Sequence, residues 1–249
     1  MKQLIKRLAR SVGYDIRKYR PSDSIETLVA HILKQQDINL VIDVGANTGQ
    51  FGQLLRAEGY TGRIISVEPL ADAHRQLQDV AANDSDWQVA ARMALGAEDG
   101  ELPINRSRNT VSSSILDMLP AHEESAPDSV YEAQETVPVR RLDSVLDEWS
   151  VGPNEYFLLK LDVQGYEDRV LDGATGVESR VAAVQCECST VPLYDGQVLH
   201  SELMHRLEAK DFGLYAVWGG YADRSSGRML QFDVLYVRDQ DNKEEQGNR

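Results

Sequence analysis

The chain has 249 residues, 42% of them hydrophobic, and a formal net charge of −14. That length supports one substantial α/β core, and so acidic a surface repels phosphate backbones, which removes nucleic acid from the expected partners. Cys186 and Cys188 stand two apart on one strand face, where they do not readily bond to each other. With no apolar run near the roughly 18 residues of a membrane span and no signal-peptide core, a reducing, cytoplasmic setting is expected.

The opening MKQLIKRLARSVGYDIRKYR holds seven Lys or Arg against one acid, Asp15, with Leu4, Ile5, Leu8 and Val12 at helical spacing. Two readings stand open for residues 1–20. One is an amphipathic helix packed on the domain; the other is a basic surface touching anionic lipid, which would place the protein peripherally at the inner membrane surface. A second helix follows in SDSIETLVAHILKQQ, capped at Ser24 or Ser22 and apolar at Ile25, Leu28, Val29 and Ile32. Residues 1–35 thus read as an N-terminal helical segment and 36–239 as the main domain. Residues 240–249, with no apolar side chain, read as a disordered tail.

Within the main domain, LVIDV, RIISVEP, WQVAARMAL, YFLLKLDV and VAAVQCEC read as strands, with helices beginning near Thr48, Ala71, Tyr166 and Ser201. Strands alternating with helices give a parallel sheet wrapped on both faces. GLYAVWGG and MLQFDVLYV are too close for a crossover helix, so they form a hairpin and the sheet ends in an antiparallel strand. The expected fold is therefore α/β and Rossmann-like, with a mostly parallel seven-stranded sheet. Between about residues 105 and 136 no period is sustained, which marks a lid or substrate loop.

In such sheets the ligand sits beyond the carboxyl ends of the strands, at the first turn. Here that turn is Asp43-Val-Gly45-Ala-Asn47-Thr-Gly49. It is neither a P-loop nor GxGxxG, since Asn47 stands where a second glycine would let pyrophosphate touch the main chain. Asp43 at a strand tip is unfavourable beside a diphosphate and favourable beside an ammonium or sulfonium. Glu68, ending the second strand, suits both hydroxyls of a ribose at about 1.5–3 kcal/mol per charge-assisted bond. The ligand these features favour is S-adenosylmethionine, with NAD as the competing dinucleotide.

The segments IDVGANTGQF, ISVEP before a helix, ALGAEDGELP, the serines at 112–114, VRRLDSVL and LLKLDVQGYEDRVLDGA together resemble the FkbM family of S-adenosylmethionine-dependent methyltransferases over roughly residues 39–238. The resemblance implies a class I methyltransferase fold in which Asp43, Gly45, Ala46 and Asn47 border the methionine part of the cofactor. Glu68 would hold the ribose, the Arg92-Met93-Ala94 segment would flank adenine, and Ser112 to Ser114, with Ser113 at the centre, would close over it. One departure is Gln164 in DVQG, where the family often has Glu, so no carboxylate role transfers to that position.

Methyl transfer to an alcohol calls for an acceptor-side base or metal. Asp162 and Glu187 end neighbouring strands and would share one mouth, either as a base with its orienting partner or as a Mg²⁺ site. Pairing with Lys160 or a helix cap is the plainer role for Asp162. His122 in the loop is a further base candidate, and Tyr194 and Asp195 lie where an acceptor would pass. The expected activity is O-methylation of a sugar, glycan or related small molecule. A NAD-dependent oxidoreductase and a non-catalytic, cofactor-binding scaffold at a membrane surface are the alternatives.

Overall fold

A computed structural model describes residues 2–14, 16 and 24–238. The expected tail at 240–249 and the Ser22 cap lie outside the described residues. The N-terminal pattern forms α1 (Lys2–Ser11) and α2 (Ile25–Gln35), the latter capped by Ser24, whose hydroxyl accepts the Thr27 N–H at 3.3 Å. Val29, Ile32 and Leu33 of α2 are buried against the domain. The apolar side of α1 is not: Leu4, Ile5, Leu8 and Val12 are all exposed, so the packed-helix reading does not hold for these residues.

Five buried residues form β1 (Leu40–Val44), followed by α3 (Gln50–Ala57), β2 (Arg63–Val67), α4 (Ala71–Ala81) and β3 (Trp87–Val89). After a second region come β7 (Phe157–Leu161), α7 (Glu167–Gly173), β8 (Val181–Ser189), α8 (His200–Glu208), β9 (Phe212–Gly219) and β10 (Gln231–Arg238). The sheet order is β3-β2-β1-β7-β8-β10-β9. Alternate residues of each strand face opposite layers. Leu40, Ile42 and Val44 belong to the same buried layer as Leu203 and Leu207 of α8, whereas Val41 belongs to the layer that holds Leu33 of α2 and Leu55 of α3. A buried parallel sheet with helices on both sides is the result.

β10 is the antiparallel strand, paired with both β8 and β9. It sits one position in from the edge, because β9 crosses over α8 to the rim and the short hairpin returns β10 into the gap between β9 and β8.

Two expectations need correction. WQVAARMAL is not one strand: β3 stops at Val89, and Ala94–Leu95 form β4 in a separate sheet. The Ala90 carbonyl accepts from His74 Nε2 at 2.8 Å and Arg92 donates to the Pro69 carbonyl at 3.0 Å, which holds the chain off the β2 edge. The region 105–136 is also more regular than its pattern suggests. β5 (Gly100–Ser107) pairs antiparallel with β6 (Tyr131–Arg140), and β6 also pairs with β4. Most β6 side chains are polar or exposed, and only Val137 and Val139 are buried. Its extended state rests on ladder hydrogen bonds, which leave no apolar alternation to read. Between these strands lies α5 (Pro120–Ser125), and α6 (Leu142–Val145) leads back to β7.

The second sheet is locked to the first where α7 meets the residue after β4. A Cβ on Gly173 would overlap the Gly96 carbonyl oxygen. Both groups are main chain and neither can swing aside. Gly173→Ala is expected to lower stability by about 1–3 kcal/mol in urea denaturation.

Candidate active site

The turn after β1 folds over the tip of β2. The N–H groups of Gly45 and Ala46 donate to the Val67 carbonyl at 3.0 and 3.1 Å, and that of Asn47 donates to Glu68 Oε2 at 2.8 Å. Gly45 has φ +75°, and a Cβ there would overlap the Asp162 carbonyl oxygen, so no other residue fits. Asn47, at φ +48°, is a residue type that tolerates the left-handed region. Glu68 Oε1 accepts a second backbone bond, from Leu70 at 2.8 Å. Each carboxylate oxygen keeps a free lone pair for a further donor. Burial raises the Glu68 carboxyl to about 7 while the Leu70 and Asn47 bonds and Lys160 pull the other way.

A cavity of about 350 Å³ opens over this turn. Gly45, Ala46, Asn47 and Glu68 line one side, Ala94 and Ser113 another, and Lys160, Asp162 and Gln164 the wall formed by β7 and its following loop. Leu70, Leu95, Ile104 and Ile115 supply apolar surface. The volume lies within the range of small-molecule sites, about 300–1,000 Å³. Ser114 donates to the Gln164 carbonyl at 2.7 Å, pinning the serine strap against that wall.

Asp43 is placed otherwise than its strand-tip position suggested. It is fully buried and does not line the cavity; alternation turns its side chain beneath the turn, where Oδ1 lies 3.1 Å from Lys160 Nζ. Burial raises the Asp43 carboxyl and Lys160 pulls it back. Burial would lower the Lys160 ammonium, but Asp43 and Asp162 outweigh that and hold it above its ordinary range. The two groups compensate each other, and the ammonium also lies 5.5 Å from the Phe51 ring. Asp162, which lines the cavity with Glu68 and Asp233, is 45% exposed at its side chain and lies 3.5 Å from Lys160.

Asp162 and Glu187 are brought together through a residue that the sequence pattern did not assign a role. Gln164 Nε2 donates to Asp162 Oδ1 at 2.8 Å and to Glu187 Oε2 at 3.0 Å. Gln164 Oε1 in turn accepts from the buried Tyr194 hydroxyl at 2.8 Å, and Gln231 donates to Glu187 at 2.6 Å. Burial, with the neighbouring carboxylates led by Asp162, pushes the Glu187 carboxyl up, and the Gln164 amide pulls the other way. The amide occupies the place between the two carboxylates that a cation would take. Among the described residues no group of three or more His, Cys, Asp or Glu side chains gathers to hold a metal, so the Mg²⁺ reading has no site here.

Three other candidates stand away from the cavity. His122 is buried edge-on against Tyr194, ring centroids 5.1 Å apart, and burial lowers its pKa. Met93 is packed in the hydrophobic core. Asp195 is exposed, and its N–H donates to the Asp117 carbonyl at 2.8 Å. Lys160 and Gln164 were the functional positions least visible in advance. Their available signals were the i, i+2 spacing of Lys160 and Asp162 and the departure at Gln164 itself.

The sheet order, the glycine turn and the acid at the β2 tip define an S-adenosylmethionine-dependent methyltransferase of class I architecture. The chain belongs to the FkbM family: the methyltransferase FkbM domain matches residues 43–214. No curated protein matches the chain in sequence. Among solved structures it is similar to precorrin-6y C5,15-methyltransferase from Geobacter metallireducens GS-15, with TM-score 0.46, 11% identity, and 86% of this chain and 88% of that one covered. It is similar too to magnesium protoporphyrin IX methyltransferase from Synechocystis PCC 6803 with bound S-adenosylmethionine, with TM-score 0.45, 11% identity, and 96% and 97% covered. Likenesses of this size carry nothing about the acceptor. The family match removes the NAD-dependent alternative.

The chemistry of the cavity suits S-adenosylmethionine: a buried carboxylate with spare lone pairs for a diol, and apolar walls for a base. The compensated pair beneath it sets a stability prediction. Lys160→Met strands a buried carboxylate and is expected to cost about 3–5 kcal/mol in chemical denaturation, and adding Asp43→Asn should recover much of that loss.

Proposed function

We propose that the protein transfers a methyl group from S-adenosylmethionine to a hydroxyl of a sugar, glycan or related small molecule. The observation that carries this reading is the division between the two carboxylates at the β7 and β8 tips. Glu187 is tied up by the Gln164 and Gln231 amides, whereas Asp162 opens into the cavity on an amide and an ammonium that fix its orientation. Of these two carboxyl groups Asp162 is the one placed to take a proton, and an alcohol acceptor needs that. The FkbM resemblance supports the carbohydrate-like acceptor.

Bound S-adenosylmethionine supplies an electrophilic methyl group on a sulfonium. Glu68 would accept hydrogen bonds from the ribose hydroxyls, and Gly45, Ala46 and Asn47 would border the methionine. Ala94 would flank adenine, and Ser113 would close the cavity over it. Asp162 would hold the acceptor hydroxyl in line with the methyl and receive its proton, with Gln164 and Lys160 setting the carboxylate's direction. Asp43 acts beneath the site, by holding Lys160. Glu187 is a positioning residue that anchors the Gln164 amide.

Release of S-adenosylhomocysteine over a panel of hydroxylated glycans tests the reading. Asp162→Asn should keep cofactor affinity within a few-fold and lower kcat by about 10²–10⁴. Equal turnover would remove Asp162 from the chemistry, and silence of the unmodified protein across the panel would favour a scaffold.

Glu68 adds a pH dependence. Its ionised form is the better acceptor for the ribose, and its carboxyl in the free protein loses its proton only near 7. Binding below that value must expel the proton, so affinity falls as pH falls, by up to about tenfold per unit. Calorimetry between pH 8 and 5.5 should show this slope together with proton release. Glu68→Gln should bind more weakly at pH 8 and lose the slope; a pH-independent affinity of the unmodified protein would refute the ribose role.

A further inference from the structure

α1 differs from the helices that pack on the sheet: its apolar side faces solvent. Leu4 is 62% exposed, Ile5 49%, Leu8 62% and Val12 70%. At about 100° per residue, these four and Ala9 fall within one arc of roughly 140°, and Lys6, Arg7 and Arg10 lie on the opposite side of the circumference. The helix contains no acidic residue. Charge is as unevenly divided along the chain as around the helix. With seven Lys or Arg and one acid, the first twenty residues carry +6, which leaves −20 on the remainder of a chain whose total is −14.

We propose that α1 docks the protein on an anionic lipid bilayer, lying in the interface plane with Leu4, Ile5, Leu8 and Val12 toward the acyl chains and the cationic arc among the headgroups. Both halves of the helix are then satisfied by one partner. A nucleic acid would neutralise the cations and leave the four apolar side chains in water. A second copy would cover the apolar arc and bring two strongly cationic helices together. The helix has 10 residues, and no described helix is long and apolar enough to cross a membrane, so the contact is interfacial. The acidic remainder is repelled by the same lipid surface, which makes the N-terminal helix the attracted end and holds the cavity-bearing domain away from the headgroups.

The inference is independent of the acceptor and of the methyl-transfer reading. Co-sedimentation of the full-length protein with phosphatidylcholine vesicles, with and without phosphatidylglycerol, tests it. Binding is expected with the anionic vesicles and should weaken as salt rises. Substituting Lys6→Gln and Arg7→Gln together should lower the partition coefficient about 25-fold, roughly fivefold for each cation. The pair Leu4→Ser and Leu8→Ser should lower it by more than tenfold. Equal binding to neutral vesicles, binding to neither, preference for a DNA duplex, or a dimer that the Leu4 and Leu8 changes dissociate would each overturn the proposal. S-adenosylmethionine affinity, measured in the same variants, should be unchanged, which separates loss of lipid binding from damage to the cofactor site.

Discussion

The buried pair between Asp43 and Lys160 is the constraint on which the site is built. It joins the tips of β1 and β7 across the middle of the sheet, where the two residues are direct parallel neighbours. Neither charge is tolerable alone at that depth, so each fixes the other. With the ammonium held there, Gly45 can present its carbonyl to Lys160 at 3.5 Å and Asp162 can lie against its outer side. The turn after β1 and the carboxylate that opens into the cavity are thereby referred to one buried point.

Three acidic residues at three strand tips meet three different fates, and burial with partners decides each. Asp43 is compensated by Lys160. Glu187 has its carboxyl pushed up by burial and is hydrogen-bonded by two amides. Asp162 retains access to the cavity. Amide hydrogen bonding from Gln164 bridges the latter two without adding charge, which a glutamate at that position would do. The substitution of an amide in the DVQG turn therefore fits its surroundings: a neutral donor between two carboxyl groups and an acceptor for the buried Tyr194 hydroxyl.

Much of the fold was legible in the sequence because its strands are buried on both faces. Runs such as LVIDV and FLLKL announce themselves, and the short link between GLYAVWGG and MLQFDVLYV could only be a hairpin. β5 and β6 were obscured because their strand state comes from mutual pairing, while most of their side chains remain in water. Glu68 and Gly45 could be placed because strand ends and turn geometry are local properties. His122 could not: only the packing of the segment carrying α5 against Tyr194 turns its ring away from the cavity.

From its residue order alone this protein is determined to be an acidic α/β chain with the motifs of an FkbM methyltransferase and a basic, amphipathic N-terminus. Those properties follow from periodicity, turn chemistry and spacing, which a linear chain carries. Which acid faces the cavity, which is paired with an ammonium and which is held by amides was decided only in three dimensions. The sign and strength of a carboxyl group's contribution depend on its burial and on neighbours brought from distant parts of the chain, as Lys160 is brought to Asp43 and Gln231 to Glu187.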